Sequence, residues 1–249
     1  MRVLGRGAFG AVTLVKDIRD SRLYAIKTLP WGDREDLRTA ALAEVSLMRQ
    51  LRHPFLVTLV DAFISVDGRL VCLAMTYCES GDLAKVIEHA RKRSAPLAEK
   101  QVVSWFCQAC LGIAHLHARH QLLHRDIKPA NLLLTESSRL LRIGDFGLAK
   151  TLGSHGQTVK TEVGTPYYTS PEMCSGAAYG YPSDVWSLGV VLHEMLALDV
   201  PFRGRDTVEL VSRVACAAPP ALPARYGTEV RDERRALCCT AAVCAGSAR

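Results

Sequence analysis

No apolar run in this chain is long enough to cross a bilayer. The most apolar stretch, Trp186 to Leu198, covers 13 residues and carries His193 and Glu194, against the roughly 20 residues that a spanning helix needs. The opening MRVLGRGAFG has no apolar core of a secretory signal. The nine cysteines are odd in number and follow no disulfide spacing. Together these absences point to a reducing, intracellular setting. No repeat and no low-complexity linker interrupts the chain, which excludes a solenoid or a string of tethered modules. The charge excess, 31 Lys+Arg over 25 Asp+Glu for +6, is too mild and too evenly spread to argue for nucleic acid.

What is present is globular. With 249 residues, 49% apolar and 22% charged, the chain suits one large domain or two lobes. A chain of this size buries about 70% of its unfolded surface, so it needs no metal or disulfide staple. Cys107 and Cys110 form a C-x-x-C within a helix-period stretch that includes Val103, Phe106, Ile113 and Leu116. No second ligand pair follows at zinc spacing, so core packing is the preferred reading.

The first 80 residues read as strands around one helix. Arg2–Leu4 and Ala11–Val15 flank a glycine-rich turn, and Leu23–Leu29 is a third strand. Asp33 is placed to cap a helix through Leu51. Leu56–Phe63 and Arg69–Thr76 read as strands joined at Asp67-Gly68. From Leu83 the pattern turns helical, most strongly over Gln101–His117 and Asp184–Leu198.

Gly5-Arg-Gly7-Ala-Phe-Gly10-Ala-Val12 is a G-x-G-x-x-G, which alone is a bare tight turn or a dinucleotide fingerprint. A strand rather than a helix follows it, which favours a hairpin lid whose N–H groups approach phosphates closely. Fifteen residues after Val12, Lys27 ends an apolar strand, where a solvated strand end is the ordinary reading. Glu44, however, shares a helix face with Leu37, Ala41 and Met48. A charge on an apolar face is costly unless paired, so Lys27–Glu44 is expected as a partly buried pair. Glu35, in the first turn, answers to the helix dipole.

His124-Arg-Asp126-Ile-Lys128-Pro-Ala-Asn131 packs polar groups between leucines, and Asp145-Phe-Gly147 begins 14 residues after Asn131. Asp126, Asn131 and Asp145 supply a base and oxygen ligands, which suit Mg²⁺ rather than Zn²⁺. His124 reads as structural, since it follows two leucines and Asp126 is better placed for chemistry.

The ordered set (glycine loop, Ala25-Ile-Lys27, helix Glu44, HRDIKPAN, DFG, Ser170-Pro-Glu172) resembles a eukaryotic protein kinase over roughly residues 1–226. Met75-Thr-Tyr77-Cys-Glu-Ser-Gly81-Asp-Leu83, Val103-Ser-Trp105-Phe106 and Gly164–Glu172 are most similar to the NIMA-related Ser/Thr kinases. The implied fold is α+β and two-lobed. A small β-rich lobe (1–76) with one regulatory helix would meet a larger α-rich lobe (82–232) through a hinge (77–81), and an atypical tail (233–249) would leave the C-terminal end incomplete. The implied activity is transfer of the ATP γ-phosphoryl group to protein Ser/Thr hydroxyls, with Mg²⁺, or Mn²⁺ in its place. Partners are then ATP and protein substrates, with neither nucleic acid nor membrane. A catalytically weak or inactive scaffold is the alternative.

By this resemblance, Leu4, Gly5, Gly7, Gly10 and Val12 cover ATP. Ala25, Leu133, Met75, Thr76 and Cys78 surround the adenine, with Met75 as gatekeeper and hinge backbone at Thr76 and Cys78. Lys27, held by Glu44, contacts the α and β phosphates. Asp145 and Asn131 hold the metal, Asp126 accepts the hydroxyl proton and Lys128 steadies the phosphoryl group. Lys128 and Thr165 fit Ser/Thr rather than Tyr specificity. Arg125 invites a regulatory phosphate, expected on Thr161 and next on Thr158; the plain alternative is solvated loop hydroxyls. Met48, Leu59, Phe146 and His124 form an apolar spine, and Asp184 accepts N–H groups near His124 and Arg125, a role compatible with capping its own helix.

The chain departs from the family at its end. The arginine expected to pair Glu172 is absent from the last 17 residues; Arg231, Arg234 and Arg235 are the nearby candidates. The start also falls inside the first strand. A truncated, mis-spliced or frame-shifted end, with poor thermal stability and weak soluble yield, is the expectation; a melting temperature well above the usual ~45–65 °C range would argue against it.

Overall fold

The computed structural model describes residues 2–7, 10–31, 35–147, 149–151, 166–216, 218, 220–234 and 237. The expected helix cap Asp33, the loop residues Thr158, Thr161 and Thr165, Arg235 and the tail from 238 lie outside them.

Five antiparallel strands build the first part: β1 (Arg2–Gly7), β2 (Gly10–Lys16), β3 (Leu23–Pro30), β4 (Leu59–Ile64) and β5 (Leu70–Thr76), in the order β1-β2-β3-β5-β4. Helix α1 (Glu35–Gln50) lies against this sheet and buries Ala41, Val45 and Met48, the apolar positions at helical spacing. Asp67-Gly68 turns the β4–β5 hairpin as expected. Gly68 takes φ +70°, where a side chain would be strained, and its N–H closes the turn on the Ser65 carbonyl at 2.8 Å.

The larger part is helical. It comprises α2 (Leu83–Lys92), α3 (Glu99–His120), α4 (Pro171–Cys174), α5 (Tyr181–Ala197) and α6 (Thr207–Cys216), with the short strands β6 (Leu122–Leu123), β7 (Leu132–Thr135), β8 (Leu140–Ile143) and β9 (Lys150–Thr151). The 13-residue apolar run sits in α5, which is buried on all sides from Trp186 to Leu196. It is a core helix. No described helix is long and apolar enough to cross a membrane. One hydrophobic core runs through both parts, joining Met48, Leu59 and Leu73 to Phe146, Leu132 and Leu116. The expected two-part α+β architecture is therefore the observed one.

Three expectations change. The strand expected from Leu56 begins only at Leu59, because residues 55–57 pair across to β8. Ile143 N–H donates to the Phe55 carbonyl at 2.9 Å and Val57 N–H to Ile143 at 2.8 Å. This crossing ties the sheet lobe to the helical lobe directly behind the cleft. On α3 the buried stripe is Val102, Trp105, Phe106, Ala109, Ile113 and Leu116, so Val103 and Cys107 fall one position off it and are exposed. Core packing thus holds for Cys110, which packs against the core, but not for Cys107. Finally, α5 starts at Tyr181 rather than Asp184, with Gly180 as its N-cap.

His193 on α5 is 3% exposed, and burial together with the Arg234 cation pushes its pKa down to about 4. The folded chain holds this imidazole neutral, whereas the unfolded chain protonates it near 6.5. The unfolded state therefore binds the extra proton, and stability falls as pH drops from 6.5 toward 4. Going from pH 7 to 5 is expected to cost about 2 kcal/mol through this residue. Melting curves of His193→Gln should show a visibly flatter pH dependence over that window than the parent chain.

Candidate active site

Lys27 lies on β3 opposite Val12 and Leu73. Its ammonium reaches Glu44 Oε1 on α1 at 2.8 Å, with both side chains 11% exposed. The same nitrogen reaches Asp145 Oδ1 at 3.1 Å, across 118 positions of sequence. Burial pulls the Lys27 pKa down, but Asp145 and Glu44 outweigh it and hold the group above the ordinary lysine range. Burial would raise Asp145, yet the Lys27 cation leaves it below the usual carboxylate range. Lys27 and Asp145 thus form a charged pair at neutral pH, with the Glu44 carboxylate at 2.8 Å from the same ammonium.

Backbone geometry aims Asp145 at Lys27. Asp145 has φ +60°, and the next side chain, Phe146, turns inward to 2% exposure and meets the His124 ring edge-on at 5.3 Å. Met48, Leu59, Phe146 and His124 are all buried there. Gly147 follows where an added Cβ would lie 3.3 Å from Lys27 Nζ and 3.4 Å from Asp145 Oδ1. Gly10, with φ +144°, comes so close to β3 that a Cβ would lie 1.8 Å from the Thr28 carbonyl oxygen. Glycine there is a steric necessity. The glycine hairpin otherwise pairs Gly5 with Val12 and Gly7 with Gly10, and Leu4 sits at the bulge between Val3 and Gly5.

The loop after β6 gathers the other polar groups. Lys128 Nζ donates to both carboxylate oxygens of Asp126 at 2.9 and 2.8 Å. Asn131 Nδ2 donates to the Asp126 carbonyl at 2.7 Å and to its Oδ2 at 2.9 Å. His124 is fully buried, with Nε2 at 3.1 Å from the Gly144 carbonyl and Nδ1 accepting from Asp126 N–H at 3.3 Å. Both ring nitrogens are thus occupied, as a structural histidine requires.

Asp184 is 2% exposed and accepts from His124 N–H and Arg125 N–H, each at 2.9 Å. It lies inside α5, three residues past the helix start, and its oxygens bind the backbone of the loop after β6. Its third partner, His117 Nε2 at 2.8 Å, was not legible in sequence, since a helix residue gives no sign of a partner 67 positions away. Burial would raise Asp184, but the His117 hydrogen bond and neighbouring donors hold it below the usual range.

Ala25 pairs with Met75 across β3 and β5, and Leu133 bridges to Asp82. Thr76 N–H is spent on the Thr58 carbonyl at 3.0 Å. Cys78 is 7% exposed, and burial pushes its thiol up to about 11. Glu172 accepts from Ser183 Oγ at 2.5 Å; no ion pair joins it to a described arginine, and Arg234 Nη2 instead donates to the Pro220 carbonyl at 2.7 Å. Arg231 and Arg234 therefore do not replace the missing partner. A groove of about 450 Å³ formed by α2 and the segment that follows it, lined by Val86, Ala90 and Leu97, lies apart from all these groups.

A residue set that could meet a triphosphate and its cation is now in place. Asn131 donates its amide NH₂ to Asp126, so the amide oxygen is the atom of that side chain suited to a cation, and the Asp145 carboxylate is 52% exposed. Two hard oxygens without a His or Cys cage fit Mg²⁺ or Mn²⁺, which keep much of their own water. Among the described residues no group of three or more His, Cys, Asp or Glu forms a denser metal site.

A two-lobed fold with a Lys–Glu–Asp cluster in its cleft defines a protein kinase. The chain belongs to the protein kinase domain family, whose model matches residues 1–228. It is similar to serine/threonine-protein kinases of the Nek group. It is 40% identical to Nek4 of Mus musculus over 238 residues, 95% of this chain and 29% of that protein. It is 38% identical to Nek5 of Homo sapiens over 87% of this chain and 30% of that protein. Nek2 of Mus musculus is 36% identical over 92% of this chain and 53% of its own length. The chain thus spans between about a third and a half of these curated relatives.

Proposed function

We propose that this chain is an ATP-dependent kinase domain that phosphorylates Ser and Thr hydroxyls of proteins. The reading is carried by the Lys27 ammonium, shared between Glu44 at 2.8 Å and Asp145 at 3.1 Å. Protein kinases use ATP with Mg²⁺, which supply the phosphoryl group and the charge that neutralises it.

The chain's own residues then have distinct tasks. The hairpin of Gly5, Gly7 and Gly10 lies over the phosphates, with Leu4, Val12, Ala25 and Leu133 against the base and Met75 behind it. With Thr76 N–H committed to the sheet, Cys78 is the hinge donor. Lys27 binds the α and β phosphates, and Glu44 keeps it aimed. Asn131 and Asp145 hold the metal. Asp126 orients the substrate hydroxyl and takes its proton, for which Lys128 must move from the carboxylate toward the transferring group. Loose phosphoryl transfer needs this positioning and charge balance more than covalent chemistry.

Residues 1–76, 77–81 and 82–232 serve as small lobe, hinge and large lobe. Control by phosphorylation is placed on Thr161, with Thr158 second, and Thr165 faces the substrate. Arg125 supports this: its Nε and Nη1 are buried without an acceptor among the described residues. The test is transfer of labelled phosphate from ATP to casein. We expect Asp126→Asn to lose it and Thr161→Ala to lower it at least about tenfold. Undiminished turnover of Thr161→Ala would remove the regulatory part, and transfer by Asp126→Asn at the parent rate would remove the whole.

A further inference from the structure

Arg125 lies between the buried His124 and Asp126. Its φ is +71° and its N–H is fixed on Asp184 Oδ1 at 2.9 Å. Its side chain is less well provided for. Nε and Nη1 are sealed from solvent and reach no acceptor among the described residues. Leaving buried donors of a charged group unpaired is costly. What the guanidinium does face is an aromatic ring: its central carbon lies 4.6 Å from the centroid of Tyr179, within cation–π range.

Tyr179 belongs to the stretch between α4 and α5. Two residues on, the Tyr181 ring stacks on His117 at 4.3 Å and 29°, and His117 contacts the same Asp184 that holds the loop backbone. One short segment thus touches the catalytic loop once directly, at Arg125, and once through His117 of α3. Tyr181 acts through His117 and Asp184 on its backbone, and Tyr179 acts on the side chain of Arg125.

We propose that Tyr179 is a positioning residue for phosphoryl transfer, its ring face holding the Arg125 guanidinium, and through it the Asp126 segment, while no phosphate occupies that guanidinium. The inference rests on the activation-segment reading above. A phosphate offers several charged acceptors that satisfy Nε and Nη1 and displaces the weaker ring contact. Tyr179 therefore matters most in the unphosphorylated chain and little in the phosphorylated one.

The experiment compares kcat and the KM for ATP of Tyr179→Leu and Tyr179→Phe, each as phosphatase-treated and as autophosphorylated protein. Tyr179→Leu is expected to lower kcat about 3- to 30-fold in the unphosphorylated form, the range of one cation–π contact. KM for ATP stays unchanged, and the phosphorylated form loses little. Tyr179→Phe, which keeps the ring, retains the parent kcat in both forms. In an Arg125→Ala background Tyr179→Leu costs nothing further. Equal losses in both forms, a loss in Tyr179→Phe, or an undiminished loss without Arg125 would each overturn the proposal. If Tyr179→Leu does not fold, Tyr179→Trp replaces it; retained kcat supports the ring contact and a large loss counts against it. If the parent chain itself shows no difference between the two forms, the regulatory reading fails. The Leu–Phe split and the Arg125 background then still decide the role of Tyr179.

Discussion

Lys27→Met is expected to lower phosphoryl transfer about 100- to 1000-fold, the scale of losing one preorganised electrostatic contact in an active site. The substitution removes the cation that Glu44 and Asp145 share at 2.8 and 3.1 Å. It leaves two carboxylates facing a site that must accept a triphosphate, so repulsion replaces attraction. Glu44→Gln should cost less, because Lys27 keeps its contact to Asp145 and loses only its aim. Steady-state rates on casein, with melting curves to show that both variants fold, check the order. A larger loss from Glu44→Gln than from Lys27→Met would contradict the assignment of Lys27 as the phosphate contact.

Asp184→Asn should be the most destabilising single change near the site. The carboxylate is 2% exposed and accepts three hydrogen bonds, from His117, His124 N–H and Arg125 N–H. An amide supplies one acceptor oxygen and turns an NH₂ against a donor. Breaking a buried charged network in this way costs about 3–5 kcal/mol. At about 2–4 °C per kcal/mol for a chain of this size, the melting temperature should fall by roughly 10 °C. The catalytic loop should loosen with it, lowering kcat. Asp184 is held below its ordinary pKa, so its contribution is present above pH ~3.8 and is lost as pH falls through the folded value. A shift of less than about 2 °C would show that the three contacts contribute little net stability.

The Lys27–Glu44 pairing was legible because burial of a charge on an apolar helix face demands a partner, and Lys27 ends an apolar strand of the same lobe. The β4–β5 turn was legible because Asp-Gly sets a local backbone geometry. Cys107 was misplaced by one position, since in a helix with apolar residues on several faces the phase of the buried stripe depends on what packs there. Leu56 was read into the wrong strand because its β-bridge partner, Ile143, is 87 positions away and in the other lobe. His117 and Tyr179 carry no local signal at all. Each gains its role from a contact that exists only once α3, the catalytic loop and the start of α5 have come together.

The central claim is that residues far apart in sequence form one site for ATP and its cation. Isothermal titration of ATP, with Mg²⁺ present and with EDTA, into the parent chain and Asp145→Asn tests it most directly. The account predicts that the parent chain binds ATP more tightly with Mg²⁺ than with EDTA, and that Asp145→Asn loses this difference while still folding. ATP binding by Asp145→Asn with undiminished Mg²⁺ dependence would contradict it.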